Sequence, residues 1–486
     1  MSENAMDIVN EVMSAHPNDR FEPCGISKIV IGEDVLGSVA QHVQSLVSQV
    51  KDPKVLFVVD SVAILRNGQN SKEFVANSLA SHFETHTISL DDGMSELHVS
   101  EEMIREVSEI VGNYDALVTL GGGTITDIGK MATAGLKNLP LVSIQSAASV
   151  DGFTDDVSVI LRNGVKRTVA SRWPDIVIAD TTLIAQAPIA MNQAGFGEIS
   201  SMFVAPADWL LANFLGFDPL FSRGPIALLE AVGAGYEEWS PGLSVGNLDS
   251  IAALVRALDI RGVATGVAGS TALLSGVEHL FSHMLDMARG AAKEKIGLHG
   301  AQVGVGSVIA SIVWEEFFEQ MDSKSIRKAA FIDKSCYQVL ARQAFLQLDL
   351  DSGNPGAIAD ECWRDFEQKI ELWNENLVLI NSFLDNWTLH SGDLKSLIKP
   401  AQSIVNGLVA AGSAVQFGAL VPAVDEALGH WALKNSVFMR NRLTVLDVLH
   451  FIGRWDDETI EGILEKAHNL AEIALLSRKT GPANDH

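Results

Sequence analysis

Between about residues 21 and 185, short apolar runs alternate with amphipathic stretches, and this alternation constrains the fold more than any other feature of the sequence. The runs that indicate strands are KIVIG (28–32), VLFVVD (55–60), ALVTL (116–120), LVSIQ (141–145) and IVIAD (176–180). The stretch between the first two has the apolar period of a helix. Strands that alternate with helices form a parallel sheet, which binds ligands at the carboxyl ends of its strands. We therefore predict an α/β nucleotide-binding domain over residues 1–187.

The pattern changes after about residue 188, where long Ala- and Leu-rich segments punctuated by Gly and Pro continue to the C-terminus. This predicts an all-α second domain over residues 188–486. Residues 407–424 carry no charge and have the length of a membrane span. Because they contain Gln416 and Pro422 and are followed by Asp425, we expect a buried helix or loop instead of a span. The first 20 residues lack the basic start and apolar stretch of a signal peptide and indicate a short amphipathic helix.

Composition excludes several classes of function. The 486 residues are 47% hydrophobic, which suffices for a large core divided between two domains. A formal net charge of −26 opposes binding to nucleic acid, whose phosphates require clustered cations. Three distant cysteines favour neither a disulfide framework nor a cysteine zinc site and fit a reducing compartment. We expect a cytoplasmic protein with a small polar substrate, no nucleic-acid partner and no membrane span.

A glycine-rich turn joins a predicted strand to a predicted helix in ALVTLGGGTITDIGK. Glycines at 121–123 would let backbone N–H groups approach a pyrophosphate without obstruction by Cβ atoms, and the helix dipole would favour the anion. The glycines are also compatible with a turn that only connects the strand to the helix. Thr124 and Asp127 are compatible with helix-capping roles. Asp60, which closes VLFVVD, either accepts hydrogen bonds from an adenosine ribose or caps a helix.

Histidines form a second candidate cluster. His279 and His283 are four residues apart in GVEHLFSHMLDM, so on a helix they share a face, and His299 follows in GLHGAQVGVG. Two or three histidines with a carboxylate suit Zn²⁺, Ni²⁺ or Fe²⁺. A paired histidine on a helix is as often structural, and spacing alone does not select the carboxylate because Asp and Glu are abundant.

Seven ordered segments resemble the glycerol-1-phosphate dehydrogenases, within the superfamily of iron-type alcohol dehydrogenases and dehydroquinate synthases. They are GGGTITDIGK, SAASVDGF, QAGFGE, APADWLL, SGVEHLFSH, LHGAQVGVG and RNRLTVLD. The resemblance extends over about 25–315 and returns near 430–455. It implies a dehydroquinate synthase-like fold, in which an α/β nucleotide-binding domain is followed by an all-α metal-binding domain.

The resemblance also implies residues for the cofactor, the metal and the substrate. The implied NAD(P)-binding residues are Asp60, Gly121, Gly122, Gly123, Thr124, Ile125, Ser146, Ser149 and Asp155. One divalent metal ion, Zn, Ni or Fe, would be held by Glu198, His279 and His299. The implied catalytic residues are His283, a candidate proton relay, and Asp151, which would orient a substrate hydroxyl. Asp151 also has a plainer interpretation as a turn-stabilising side chain in VDG.

Four positions depart from the dehydrogenase pattern. Glu198 stands where the family has Asp, Met202 where it has Lys, Ala272 where it has Arg, and Asp155 where it has Ser. Glutamate at the metal position is typical of the dehydroquinate synthases. The loss of two cations and the gain of an anion argue against a phosphorylated substrate.

These observations leave three hypotheses. The first is a metal-dependent NAD(P)-linked oxidoreductase acting on CH–OH, which resembles sn-glycerol-1-phosphate dehydrogenase and reduces a small ketone to a polyol, phosphorylated or not. The second is a lyase of dehydroquinate synthase type that uses NAD transiently; Glu198 favours it, whereas the absence of its Gly-Gly-Lys-Thr segment opposes it. The third is a non-catalytic relative, against which the retained histidines and glycine turn argue. A homo-oligomer is compatible with the sequence.

Overall fold

The computed structural model describes residues 2–94, 97–136, 138–162, 165–323, 328–350 and 354–480. It divides into two compact units. The first consists of Met1–Gly195 with Ser222–Gly269, and the second of Phe196–Phe221 with Ser270–His486. Each unit is therefore built from two separate stretches of chain. The boundary after residue 187 remains a prediction of where the fold class changes along the sequence.

Strands lie in the first unit. Their bounds are β1 (Glu3–Asn4), β2 (Lys28–Gly32), β3 (Lys54–Asp60), β4 (Leu65–Arg66), β5 (Gln69–Asn70), β6 (Glu84–Leu90), β7 (Ala116–Gly121), β8 (Leu141–Gln145), β9 (Val157–Arg162), β10 (Val165–Ala170) and β11 (Ile176–Asp180). The main sheet has the order β1-β2-β11-β8-β7-β3-β6, in which β1 is antiparallel to β2 and the other neighbours are parallel. The predicted parallel α/β architecture is confirmed.

The strand β3 shows why these runs are mostly apolar. Val55, Phe57 and Val59 belong to one hydrophobic core cluster, and Leu56 and Val58 belong to another. Successive side chains of a strand point to opposite faces, so a strand covered on both faces is apolar at nearly every position. Because β3 and β7 are parallel neighbours, their carboxyl ends are adjacent.

Helices up to residue 268 are α1 (Met6–Ala15), α2 (Val39–Leu46), α3 (Ser71–Ala80), α4 (Glu101–Val111), α5 (Gly123–Thr133), α6 (Thr181–Ala185), α7 (Ile189–Ile199), α8 (Ala205–Phe214), α9 (Arg223–Gly233), α10 (Tyr236–Leu243) and α11 (Leu248–Ala268). Those that follow are α12 (Val277–Ala291), α13 (His299–Asp322), α14 (Lys334–Phe345), α15 (Ala357–Glu375), α16 (Leu377–Asp385), α17 (Trp387–Ser396), α18 (Ala401–Ala411), α19 (Glu426–Asn435), α20 (Val445–Phe451) and α21 (Asp457–Thr480). Short 3₁₀ helices occur at Val35–Ser38, Ser200–Phe203, Thr271–Leu273, Phe417–Ala419 and Ser436–Phe438.

The regular secondary structure described in the second unit consists of helices, so the predicted all-α character is confirmed. In the uncharged segment 407–424, α18 ends at Ala411 and Gly412 follows with a left-handed φ of 79°, a common way for a helix to end. Across the described ranges, every helix falls short of the length or the apolarity that crossing a membrane would demand. The chain after α18 is a loop with one 3₁₀ turn, and this loop is partly exposed, with Val421 76% exposed.

Candidate active site

In the second unit, three side chains converge from three helices. Glu198 lies near the end of α7, His279 in the first turn of α12 and His299 at the start of α13. One ligand atom from each lies within 4.8 Å of the others. His279 Nε2 is 3.3 Å from Glu198 Oε1, and His299 Nε2 is 3.9 Å from Glu198 Oε2. The structure thus brings together the carboxylate and the two imidazoles that the sequence predicts as metal ligands.

Glycine contacts account for this convergence. A Cβ atom on Gly197 would lie 2.2 Å from the carbonyl oxygen of Gly300, so α7 and α13 meet where neither carries a side chain. A Cβ atom on Gly306 would lie 2.8 Å from the carbonyl oxygen of Glu278, which brings α12 equally close to α13. These glycines of the GFGE and HGAQVGVG segments let the ligand-bearing backbones approach one another.

A buried carboxylate orients His279. Its Nδ1–H donates to Glu278 Oε1 at 2.8 Å, and the same oxygen accepts from the backbone N–H of Gly276 at 2.8 Å. Glu278 is completely buried. This bond directs Nε2 toward Glu198, and a carboxylate behind a ligating imidazole is the usual arrangement in protein metal sites.

A hydroxyl and an amide orient His299 in a comparable way. The Ser282 hydroxyl donates its one hydrogen to Gln302 Oε1 at 2.6 Å, so its oxygen accepts from His299 Nδ1–H at 2.9 Å. Nε2 of His299 is then the nitrogen that carries a lone pair. Both imidazoles therefore present Nε2 to the same space, as two metal ligands would.

The charge of this cluster suits a divalent cation. Burial opposes protonation of His279, but hydrogen bonds to Glu198 and Glu278 outweigh it and raise the pKa of His279 to about 9. Burial, together with the charge of Glu278, raises the pKa of Asp208 well above its ordinary range. Glu198 is the carboxylate that would ligate a doubly charged ion, with Glu278 behind His279. Two nitrogens and a carboxylate oxygen are a donor set that Zn²⁺, Ni²⁺ and Fe²⁺ accept, so the residues fit the group.

His283 lies one helical turn beyond His279 and faces the same cluster. Its ring centroid is 6.2 Å from that of His279 and 5.4 Å from that of His299, with which it is stacked. It also forms a group with Asp286 and His299 whose ligand atoms lie within 4.8 Å of one another. His283 is therefore placed beside both predicted ligands, which is compatible with its predicted proton relay.

The glycine turn of the first unit has an open helix N-terminus. β7 ends at Gly121 and α5 begins at Gly123, with Gly122 as an N-cap that supplies no side-chain hydrogen bond. A Cβ atom on Gly122 would meet nothing within 4 Å. Neither Thr124 nor Asp127 caps this helix. Free N–H groups at the start of a helix bind phosphate, so the turn fits a dinucleotide pyrophosphate.

The small-residue turn after β8 lies against this glycine turn. Ser146 N–H donates to Gly121 O at 3.0 Å, and a Cβ atom on Gly123 would lie 3.2 Å from Val150 Cγ2. Ser146 is partly exposed, whereas Ser149 is nearly buried. The two predicted cofactor segments are therefore adjacent at the carboxyl edge of the sheet.

Asp60, at the end of β3, stabilises a turn. Its Oδ1 forms an ion pair with Lys72 and accepts from Val62 N–H at 3.0 Å. The residue caps no helix, because α3 begins at Ser71 with Asn70 as its cap. Oδ2 takes part in neither contact, and a bond from it to a ribose remains a prediction.

Asp155 is held inside the first unit by a buried lysine. Lys130 Nζ lies 2.5 Å from Asp155 Oδ1 and 3.2 Å from Asp127 Oδ1, and it donates to Gly152 O at 2.8 Å. Burial raises the pKa of Asp155 to about 7 against the opposing effect of Lys130, and Asp151 and Asp127 raise it further. The extra anion noted in the sequence is thus offset by Lys130, and the contact of Asp155 with a cofactor remains a prediction.

Asp151 lies in the turn after β8, and its carboxylate forms an ion pair with Arg261 of α11, with Oδ2 3.2 Å from NH1. The turn itself is closed by backbone, because Thr154 N–H donates to Asp151 O at 3.2 Å. The backbone therefore closes the VDG turn, and the side chain of Asp151 joins the turn to α11.

Sequence reasoning missed the residues that support the site. These are Glu278, Ser282, Gln302, Lys130 and Arg261. Ser282 and Gln302 each follow a predicted histidine ligand by three residues, a spacing that places them on the same helical face, and Glu278 directly precedes His279. Arg261 has no such signal, because it is more than 100 residues from Asp151.

Comparison with known proteins gives curated relatives named as glycerol-1-phosphate dehydrogenases. The family model described as iron-containing alcohol dehydrogenase matches residues 30–188. A glycerol-1-phosphate dehydrogenase [NAD(P)+] of Geobacillus thermodenitrificans is 27% identical over 341 residues, 70% of this chain and 81% of the relative. That of Thermococcus sibiricus is 31% identical and covers 60% of this chain and 80% of the relative. That of Haloquadratum walsbyi is 32% identical, with 58% and 76% covered.

Solved structures support the fold. A probable glycerol dehydrogenase from Sinorhizobium meliloti superposes with a TM-score of 0.56 at 12% identity, covering 93% of this chain and 99% of that chain. Glycerol dehydrogenase from Schizosaccharomyces pombe has a TM-score of 0.55 at 13% identity, covering 94% and 92%. Together with the curated relatives, these matches confirm the predicted resemblance and the dehydrogenase class. The chain belongs to the glycerol-1-phosphate dehydrogenase family of the iron-containing alcohol dehydrogenases.

Proposed function

We propose that the chain is a metal-dependent, NAD(P)-linked dehydrogenase that interconverts a dihydroxyacetone-like ketone, phosphorylated or not, and the corresponding alcohol. The observation that carries the proposal is the convergence of Glu198, His279 and His299. Both imidazoles bond their Nδ1 atoms elsewhere and present Nε2 to the carboxylate. A histidine that ligates a metal almost always donates its other ring N–H to a protein group in this way.

The bound groups would supply the chemistry of the reaction. A divalent cation on these residues would polarise a carbonyl oxygen as a Lewis acid, and the reduced dinucleotide would supply the hydride. The protein's own residues bind and orient. The N-terminal N–H groups of α5 would bind the pyrophosphate, with Ser146, Ser149 and Asp60 beside it. His283 would move a proton at a ring nitrogen, and Asp151 would accept a hydrogen bond from a substrate hydroxyl.

The names of the relatives indicate a small polyol substrate but do not decide whether the substrate of this chain is phosphorylated. They are named for glycerol 1-phosphate, but Met202 and Ala272 of this chain are buried and carry no positive charge for a phosphate. Both phosphorylated and unphosphorylated ketones therefore belong in the test. The three cysteines are free thiols, which supports our proposal of a cytoplasmic enzyme.

The experiment is a spectrophotometric screen of NADH and NADPH oxidation. Dihydroxyacetone, its phosphate and related ketones are supplied in turn, each with Zn²⁺, Ni²⁺ or Fe²⁺. With at least one ketone, we expect NADH or NADPH to be oxidised in an amount equal to the ketone reduced. We expect no oxidation after a chelator removes the metal. Purified protein that binds neither metal nor NADH would overturn the proposal in favour of a non-catalytic relative.

The experiment must also test for a lyase, because glutamate at the position of Glu198 is typical of the dehydroquinate synthases. A lyase of that type regenerates its NAD in every cycle. Such an enzyme would release phosphate from a cyclic or linear polyol phosphate with no net change in absorbance at the NADH band. Phosphate release without NADH consumption would therefore replace the dehydrogenase by the lyase.

A further inference from the structure

Arg261, on α11 of the first unit, is a buried cation that the proposed mechanism does not use. Its side chain is 1% exposed, and its NH1 lies 3.2 Å from Asp151 Oδ2. A guanidinium taken out of water needs an anionic partner, because desolvation of an ion costs several kcal/mol. Asp151 is 22% exposed. The ion pair therefore presents its carboxylate end to solvent while the guanidinium stays inside.

The helix that carries Arg261 also fixes the backbone of the turn containing Asp151. Thr154 Oγ1 donates to the carbonyl oxygen of Asp259 at 2.7 Å. A Cβ atom on Gly262 would lie 2.5 Å from Asp151 O and 2.3 Å from Thr154 Oγ1, so the helix meets the turn where it carries no side chain. These contacts set the position of the turn. What they leave undetermined is the direction of the Asp151 carboxylate.

Lys130, the other buried cation near this turn, is committed to different partners. Its Nζ bonds Asp155 and the carbonyl oxygen of Gly152 and pairs with Asp127. The cation that pairs with the Asp151 carboxylate is therefore Arg261 of α11. Arginine holds a carboxylate in a defined direction because its planar fork offers several N–H donors.

We propose that Arg261 is a positioning residue: it holds Oδ2 of Asp151 and so aims the other carboxylate oxygen at a substrate hydroxyl. This inference rests on the proposed function, in which Asp151 orients the substrate. A carboxylate free to rotate would still allow binding but would populate the reactive orientation less often. Loss of Arg261 therefore lowers kcat more than it raises KM.

The test is a double-mutant cycle on the metal-loaded holoenzyme with the ketone that the wild type reduces. We expect Arg261→Met to lower kcat/KM by about 10- to 100-fold, the size typical of a misplaced orienting group. Arg261→Lys recovers part of the loss, since it keeps the charge without the fork. In an Asp151→Asn background, Arg261→Met changes kcat/KM less than about twofold, because the group through which it acts is already altered.

Arg256→Met is the matched control. Arg256 lies on the same helix and forms an exposed ion pair with Glu3, with Nε 2.7 Å from Oε1. Exposed pairs contribute little, so this variant should keep wild-type kinetics. The Kd for NADH and the metal content should be unchanged in all these variants.

Equal losses from Arg261→Met in both backgrounds, or weakened NADH binding with a lower Tm, would show that Arg261 supports the fold and would overturn the proposal. Crystal structures of the wild type and of Arg261→Met provide a readout that needs no turnover. Asp151 must keep one direction in the wild type and rotate or disorder in the variant; an unmoved Asp151 overturns the proposal. If the wild type reduces no ketone, the proposed function fails, and this structural comparison still decides what Arg261 does.

Discussion

Replacing Glu278 by Gln tests whether the carboxylate behind His279 sets the metal affinity. Glu278 Oε1 accepts from both His279 Nδ1 and Gly276 N, each at 2.8 Å, in a fully buried position. Glutamine keeps the volume, and its amide oxygen can accept the same two bonds. The substitution therefore removes the negative charge and keeps both acceptor contacts. We expect weaker zinc binding with the fold intact.

The size of the loss follows from the geometry. The hydrogen bond spans 2.8 Å. The imidazole and the Zn–N bond add about 4 Å, which puts the charge of Glu278 about 7 Å from the cation. At an effective dielectric constant of about 20, a single and a double charge at that separation attract by about 5 kcal/mol. Because His279 is protonated without a metal, with a pKa of about 9, the carboxylate also stabilises the competing proton. That competition offsets about half of the attraction, which leaves ~2.5 kcal/mol, or about 70-fold in Kd.

The assay is competition for Zn²⁺ against a chromophoric chelator, with metal content measured after dialysis. Glu294→Gln serves as the control, since Glu294 pairs with Arg289 at the surface. The Tm of each protein in a chelator verifies that the fold is kept. The expected loss lies within the about 10- to 100-fold range of substitutions behind metal ligands. A Glu278→Gln protein that binds zinc within about threefold of the wild type would refute this electrostatic reasoning.

Three further predictions address the ligands, the cofactor turn and a buried acid. His279→Ala should abolish metal retention and turnover, whereas His283→Ala should keep the metal and slow NADH oxidation; full metal content in the His279 variant would refute the assignment. Gly122→Ala should raise the Kd for NADH about tenfold in a fluorescence titration without lowering Tm, because its Cβ enters open space that the pyrophosphate would occupy. Burial raises the pKa of Asp259 to about 8, against the hydrogen bond from Gln145. The folded state then holds a proton that the unfolded state releases above about pH 4, so stability falls as pH rises from about 4 to about 8. Asp259→Asn should remove this fall and gain about 1–3 kcal/mol over the wild type at pH 8.5 but not at pH 5 in urea unfolding; equal gains at both pH values would contradict it.

The parallel sheet was predictable because its central strands are buried on both faces and are therefore apolar at most positions. The edge strand β6 escaped prediction for the opposite reason. Its sequence, ETHTISL, is largely exposed and carries no apolar run, so periodicity has nothing to detect. The hairpin of β9 and β10 was missed as well.

The candidate site was predictable to the extent that it is local in sequence. The spacing of His279 and His283 indicates a shared helical face, but Glu198 could be selected only through the order of the motifs. The hydrogen bonds of Glu278 and Ser282 depend on the orientation of their side chains, which the spacing of residues in the sequence does not determine. The pairing of Lys130 with Asp155 spans 25 positions, and it offsets the negative charge that the sequence attributes to that aspartate.

The composition of the first unit from Met1–Gly195 and Ser222–Gly269 has a consequence for biosynthesis. The strands of the sheet are all synthesised by residue 180, yet α11, which packs against β2 and α6 of that unit, ends only at Ala268. A nascent chain stopped at residue 195 would leave the apolar surface that α11 covers open to water. We therefore expect this apolar surface to stay open to aggregation during synthesis until about 70 further residues have emerged.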